Sequence, residues 1–368
     1  MSVERIQHRL RTFASTAAAR VSPLYAHLAE AAADDAEVAG LLTAAEEQFA
    51  TPTLLFAAAQ RMLQAEPFHE LTNYYATLGG AYGVDDATWP MWRSFVLQRA
   101  ERMRELIATH TTQTNEVRRA AQVYPAVALA AREARGPVAL LEVGCSAGLL
   151  LGLDRYSYRY QVEQAGQVTG GPTKAPLGLH CALHLGPGAA VPDIPRKLSV
   201  GARIGLDRDP VDLADEDAAA WLEACIWADQ PDRTRLFLTA AALQRRDPPE
   251  LVTGDAVDDL AATADRLPTG MPVVVLTSLA LLYLSDPRRR EFIAALADVA
   301  ARRPLWWVSH EEYRAAMGYL VPGRADLVAG PGESSFGVIG LVNWVGGEPV
   351  ARPLATSSWH GERLRWLV

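Results

Sequence analysis

Val3, Ile6, Leu10, Phe13 and Ala17 recur at three- and four-residue steps, the spacing that lines one face of a helix. Ser22 and Thr51 each precede a proline, pairing a capping side chain with a residue whose missing N–H costs nothing in a first turn, so helices should begin at both points. Trp92, Val96, Arg99, Met103 and Ile107 form another stripe, and residues 115–131 predict one more helix before Arg135, Gly136 and Pro137. No strand pattern precedes Pro137, so residues 1–135 read as a helical domain or lid. Its aromatics Phe68, Tyr74, Tyr75, Tyr82, Trp89 and Trp92 have the spacing of a core, with pocket lining as the alternative.

After Pro137 strands and helices alternate. Val138–Val143 is a short apolar run bounded by Pro and Gly, as suits a strand buried on both faces of a parallel sheet. Further strands are predicted at 202–206, Glu250–Thr253, 272–277 and 305–309, with helices at 215–229, 231–244, 257–266, 279–283 and 288–302. Five strands with four crossovers predict a doubly wound sheet over residues 136–368. Gly337–Val345 and residues 350–356 predict a closing antiparallel hairpin, and residues 363–368 a final strand. The Gly- and Pro-rich segment 156–200 interrupts this order. Tyr156, Tyr158 and Tyr160 alternate there with polar residues, as in an exposed hairpin that would extend over the sheet's carboxyl edge.

Composition narrows the function. The chain has 368 residues, 49% of them hydrophobic, and a formal charge of -8, so it can bury a large core and carries no basic footprint for nucleic acid. All but two of its 35 basic residues are arginine, which reads as coding bias. Cys145, Cys181 and Cys225 are widely spaced and odd in number, as in a reduced cytoplasmic protein. No apolar run approaches the ~18 residues of a membrane span. His180, Cys181 and His184 make a poor metal site, because strand alternation sends the cysteine away from both histidines, and no metal is expected. Arg288, Arg289 and Arg290 read as a solvated helix face.

The chemical signal is the turn EVGCSAG at 142–148. Gly144, Ser146, Ala147 and Gly148 are small enough for a cofactor to approach the backbone after a first strand. Glu142 and the acids Asp207 and Asp255 at later strand ends predict a ligand with a ribose, an amine and a cationic centre, which describes S-adenosylmethionine. A dinucleotide is the competitor, but Ser146 and Leu149 stand where its fingerprint requires glycine. The same residues match the Gly-x-Ser-x-Gly elbow of serine hydrolases, with Ser146 as nucleophile, Asp255 or Asp286 as acid and His310 or His360 as base. That elbow should follow several earlier strands.

LLEVGCSAGLLLGLDRY at 140–156 resembles the equivalent stretch of a mostly actinobacterial family of uncharacterised proteins, the domain of unknown function 2332 family. So do TNEVR at 114–118, GLDRDPVD at 205–212, WADQPD at 227–232, GDA at 254–256 and HG at 360–361. The resemblance implies an α/β class I methyltransferase-like core, a doubly wound sheet ending in an antiparallel hairpin, and S-adenosylmethionine at the glycine turn. Similar proteins tend to carry His-Ser where this chain has Thr277 and Ser278.

The expected cofactor contacts are therefore Glu142, Gly144, Ser146, Ala147, Gly148, Asp207, Asp255, Ala256 and Thr277, with Asn115 from the helical domain. His310, Glu311 and Tyr283 are expected at the reaction centre, where an imidazole or carboxylate would take an acceptor's proton. The bland alternative makes His310 and Glu311 the cap and first turn of a helix. Arg155 and Tyr156 are candidate substrate contacts, although an ion pair with Asp154 competes for Arg155. The function expected is methyl transfer to a small molecule, oxygen being favoured over nitrogen or carbon, with a non-catalytic cofactor binder or a hydrolase as alternatives. The expected partners are that small molecule and, at most, a second copy of the chain.

Overall fold

In a computed structural model, residues 1–163, 165–330 and 334–368 are described, and they form two compact units. One comprises Met1–Asn115 with Ala214–Leu238, the other Glu116–Leu213 with Thr239–Val368. The division thus differs from a break near 135: the helix before the first strand belongs with the sheet, and a later segment returns to the helical unit.

The helical unit contains α1 (Val3–Phe13), α2 (Pro23–Ala33), α3 (Ala36–Ala39), α4 (Pro52–Gln64), α5 (Thr88–Gln98) and α6 (Ala100–Thr109). The two Pro-marked starts are capped as their sequence predicts: the Ser22 hydroxyl accepts from Tyr25 N–H and the Thr51 hydroxyl from Leu54 N–H. The stripe from Trp92 to Ile107 is split at Arg99, whose φ of -118° and ψ of 26° leave the helical region. Tyr25 stacks on Phe56, and Trp92 donates its indole N–H to the Tyr75 hydroxyl at 2.9 Å in the buried core. Tyr74 is also buried, whereas Phe68 and Tyr82 are exposed. The returning segment carries α8 (Glu216–Ala224). Buried Gln60 anchors it by donating to the Ile226 carbonyl at 3.0 Å.

The second unit is mixed α/β around a mostly parallel sheet. Among the described residues, eleven strands run in the order β3-β2-β4-β11-β10-β9-β8-β7-β1-β5-β6. The predicted strands appear as β1 (Val138–Val143), β5 (Val200–Asp207), β6 (Glu250–Thr253), β7 (Val273–Ser278) and β8 (Leu305–Glu311). All five are parallel, and β6-β5-β1-β7-β8 is the 3-2-1-4-5 order of doubly wound sheets, whose switch point lies between β1 and β7. The hairpin is β9 (Gly337–Val345) with β10 (Glu348–Ser357), and β9 lies antiparallel to β8.

The segment 156–200 does not leave the sheet as an exposed excursion. It adds β2 (Ser157–Val162), β3 (Gly166–Gly170) and β4 (Gly178–Leu185), and β11 (Arg363–Trp366) joins β4 to β10. Tyr156, Tyr158 and Tyr160 are buried, and Tyr158 stacks on Tyr124 of α7 (Arg119–Ala134) with ring centroids 4.2 Å apart. Each of the three hydroxyls donates to a backbone carbonyl, which is how a tyrosine tip is tolerated in a core. Period-two alternation separates the two faces, with Arg159 and Gln161 outward, but does not show that α7 covers the tyrosine face.

Helix α9 (Pro231–Arg246) leads the chain back to the sheet, and α10 (Leu260–Asp265) and α11 (Asp286–Ala300) follow it. Ala139, Leu141, Val143, Val275 and Trp307 share a core with residues of α10 and α11. Alternation therefore turns Glu142, Ser278 and His310 to the other face, where α7 lies. No helix is long and apolar enough to cross a membrane among the described residues.

Candidate functional site

The turn after β1 is conformationally constrained. Gly144, Ser146 and Gly148 all have positive φ, 73°, 49° and 68°, and a side chain is tolerated there only at Ser146. Asp207 explains how: one of its oxygens accepts the Ser146 N–H at 2.7 Å and the other the Asp209 N–H at 3.0 Å. Gly144 N–H donates to the Leu206 carbonyl and Gly148 N–H to Cys145, while buried Ala147 receives Gln244 on its carbonyl. These N–H groups are turned inward, so the turn is not the anion cradle a pyrophosphate needs.

A row of polar side chains crosses the carboxyl ends of the strands on the α7 face: Asp207 from β5, Glu142 from β1, Ser278 from β7 and His310 from β8. Ser278 and His310 are register partners, while Glu142 pairs with Gly205 and Leu276, each two residues before Asp207 and Ser278, so it lies on the same face one step deeper in the sheet. Glu142 is buried, and its Oε2 has no hydrogen-bond partner among the described residues. Burial, aided by the nearby Asp207 charge, pushes its carboxyl well above the usual range. Arg119, at the start of α7, opposes that shift from close by and donates its Nε to the Trp359 carbonyl.

His310 is fully buried, with Nδ1 3.0 Å from the Ser278 hydroxyl and Nε2 2.9 Å from that of Ser357. Burial, with Arg119 adding repulsion, lowers its pKa to about 3, so the ring is neutral at physiological pH. It sits inside β8, not at a helix cap, and Glu311 beside it faces the opposite side of the sheet. There Glu311 accepts Ala280 N–H at 3.1 Å and Leu281 N–H at 3.3 Å, and burial raises its pKa to about 7. Thr277 is on that side too, accepting the Trp307 indole N–H at 3.1 Å. The adjacent His310 and Glu311 are thus separated by the thickness of the sheet.

Other expected residues lie away from the row. Asp255 is held below the usual carboxylate range: burial works against it, but Arg208, two backbone N–H groups and Arg288 prevail. Arg288 pairs also with Asp258 and Glu291, so this part of the arginine run is a charged surface network. Ala256, next to Asp255, packs partly buried against the α10–α11 core. Arg155 pairs with Asp247 and not with Asp154, which is taken by Arg203 at 2.9 Å. Arg155 and Tyr156 border a cavity of about 10 Å³, room for about one water. Tyr283 is 87% exposed in a short 3-10 turn, and Asn115 belongs to the helical unit. No cluster of metal-binding residues occurs among the described residues.

Ser357 and Arg119 were not legible as site residues. Ser357 meets His310 across 47 positions of sequence and Arg119 comes from the preceding helix, so only the strand order reveals them. The partners of His310 are Ser278 and Ser357, not Ser146, and no strand precedes β1 among the described residues. That context does not match a hydrolase elbow.

The sequence profile of a family described as uncharacterised protein conserved in bacteria, DUF2332, matches residues 7–366. The chain therefore belongs to that family. No curated protein matches it.

Proposed function

We propose that this chain is an S-adenosylmethionine-dependent methyltransferase of class I type, acting on a small-molecule acceptor. The observation that carries the reading is Glu142: a buried carboxylate, one oxygen of which has no hydrogen-bond partner among the described residues, just before the glycine turn at the first strand's end. An isolated buried charge is costly, and a cationic or hydrogen-bond-donating ligand offsets that cost. The parallel strand order with its switch point beside β1 supports the same location.

The donor set suits this cofactor better than a dinucleotide. Glu142 offers a free acceptor, and Asp207, with two backbone N–H groups bound, retains lone pairs for further donors. The acidic side chains repel a pyrophosphate, and the N–H groups already used within the turn cannot bind it. Glu142, Gly144, Ser146, Ala147, Gly148 and Asp207 would hold the cofactor, and Asp255 and Thr277 lose that role to their own partners. The cofactor, when bound, supplies an activated methyl group. What the chain contributes is alignment and exclusion of water, the main source of acceleration in a displacement.

His310 is too weakly basic in this setting to take a proton, and Glu311 faces the other side of the sheet. Since neither of these two residues is placed as a base, a second reading is a protein that binds the cofactor without transferring methyl. Incubation with S-adenosylmethionine and a panel of small hydroxyl, amine and carbon acids separates the two. Release of S-adenosylhomocysteine that depends on an acceptor supports the enzyme, and binding without release supports the sensor.

A further inference from the structure

We infer that Ser278, His310 and Ser357 form a hydrogen-bond relay of fixed direction, which holds the Ser278 oxygen as a permanent acceptor toward the ligand at the carboxyl edge. The direction follows from the far end. The Gly337 carbonyl, 3.3 Å from the Ser357 hydroxyl, can only accept, and with the Ser357 proton directed to it the Ser357 oxygen receives a proton from His310 Nε2 at 2.9 Å. A neutral imidazole carries one N–H, and with Nε2 protonated, Nδ1 is bare. Ser278, 3.0 Å from that bare nitrogen, is then the donor to it. Its proton is committed inward and its lone pairs remain for an incoming group.

Two independent features support the relay. A Cβ on Gly337 would lie 2.8 Å from Ser357 Oγ and 2.9 Å from His310 Nε2, so a bare glycine is what lets the anchor close. His310 is fully buried and Ser278 is only partly so, which puts the exposed end of the relay at Ser278. Ser278 ends β7 two residues beyond Leu276, the register partner of Glu142 on β1, and alternation turns both polar side chains to the same face. His310 is accordingly a positioning residue that acts through Ser278. The ligand group it serves is a donor, an ammonium or a hydroxyl. Assigning that donor to S-adenosylmethionine rests on the proposed function.

The test has two arms. In protein carrying 15N-labelled histidine, the His310 signal, identified by its loss in His310→Asn, should show Nε2 protonated and Nδ1 bare, without titration between about pH 5 and 8. Ser357→Thr should keep this signature and Ser357→Ala should lose it. A proton on Nδ1, or titration within that range, overturns the relay whatever the cofactor. In the second arm, calorimetry with S-adenosylmethionine should show Ser278→Ala binding roughly tenfold more weakly than wild type. Equal affinity overturns the ligand role of Ser278. Failure of the wild type to bind overturns the cofactor reading and that role together, and the relay is still judged by the first arm.

Discussion

Ala280 packs so closely on Gly144 that a Cβ built on the glycine would lie 2.4 Å from the Ala280 Cβ. Ala280 follows Leu279, whose φ of 59° is unusual for a branched apolar residue, and its N–H is fixed by Glu311. The loop after β7 thus closes onto the turn after β1, at the switch point of the sheet. Gly144 is required twice, by its φ of 73° and by its neighbour.

Gly144→Ala should therefore destabilise the fold by about 2–4 kcal/mol, combining backbone strain with overpacking. Adding Ala280→Gly should recover the packing part only, so the double variant should melt between wild type and the single variant. Equal melting of single and double variants would show that the two residues are not coupled.

Glu142→Gln should do two opposite things. Removing an ionisable group that burial disfavours should raise the melting temperature at neutral pH by ~2–4 °C. Removing the charge should weaken S-adenosylmethionine binding. A variant that loses both stability and affinity would mark Glu142 as a structural residue.

Glu311 makes stability pH-dependent in a defined sense. Its folded pKa of about 7 exceeds the ordinary value of 4.5, so between those values the folded protein keeps a proton that the unfolded chain has released. Its contribution is fully present below about pH 4.5 and is lost as pH rises to 7, a change of about 3 kcal/mol. Denaturant unfolding of wild type and Glu311→Gln across this window should show the difference shift toward the variant as pH rises. A constant difference would contradict the assignment.

In the helical unit, Tyr75→Phe should cost about 1–2 kcal/mol, because it leaves the buried Trp92 N–H without its acceptor. Chemical denaturation with tryptophan fluorescence reads this directly.

The five parallel strands and the closing hairpin were legible because each is a short apolar run bounded by Gly, Pro or a charge, and caps such as Ser22 and Thr51 mark helix starts locally. Tyr156, Tyr158 and Tyr160 misled because alternation does not say which face another element covers, and the covering residue, Tyr124, lies in the preceding helix. The break at Arg99 was hidden because its long side chain fits the helical stripe, whereas in the fold it pairs with Glu66. At the site, Glu142 and the glycine turn were readable from contiguous sequence. The separation of His310 from Glu311 required knowing that β8 continues through both, and Ser357 required the strand order.

The most direct test of the cofactor assignment is side-by-side calorimetric titration of the full chain with S-adenosylmethionine and with NAD. Saturable one-to-one binding of S-adenosylmethionine, with NAD weaker or silent, is the predicted result. Preference for NAD, or heat from neither, would contradict the placement of an adenosyl sulfonium beside Glu142.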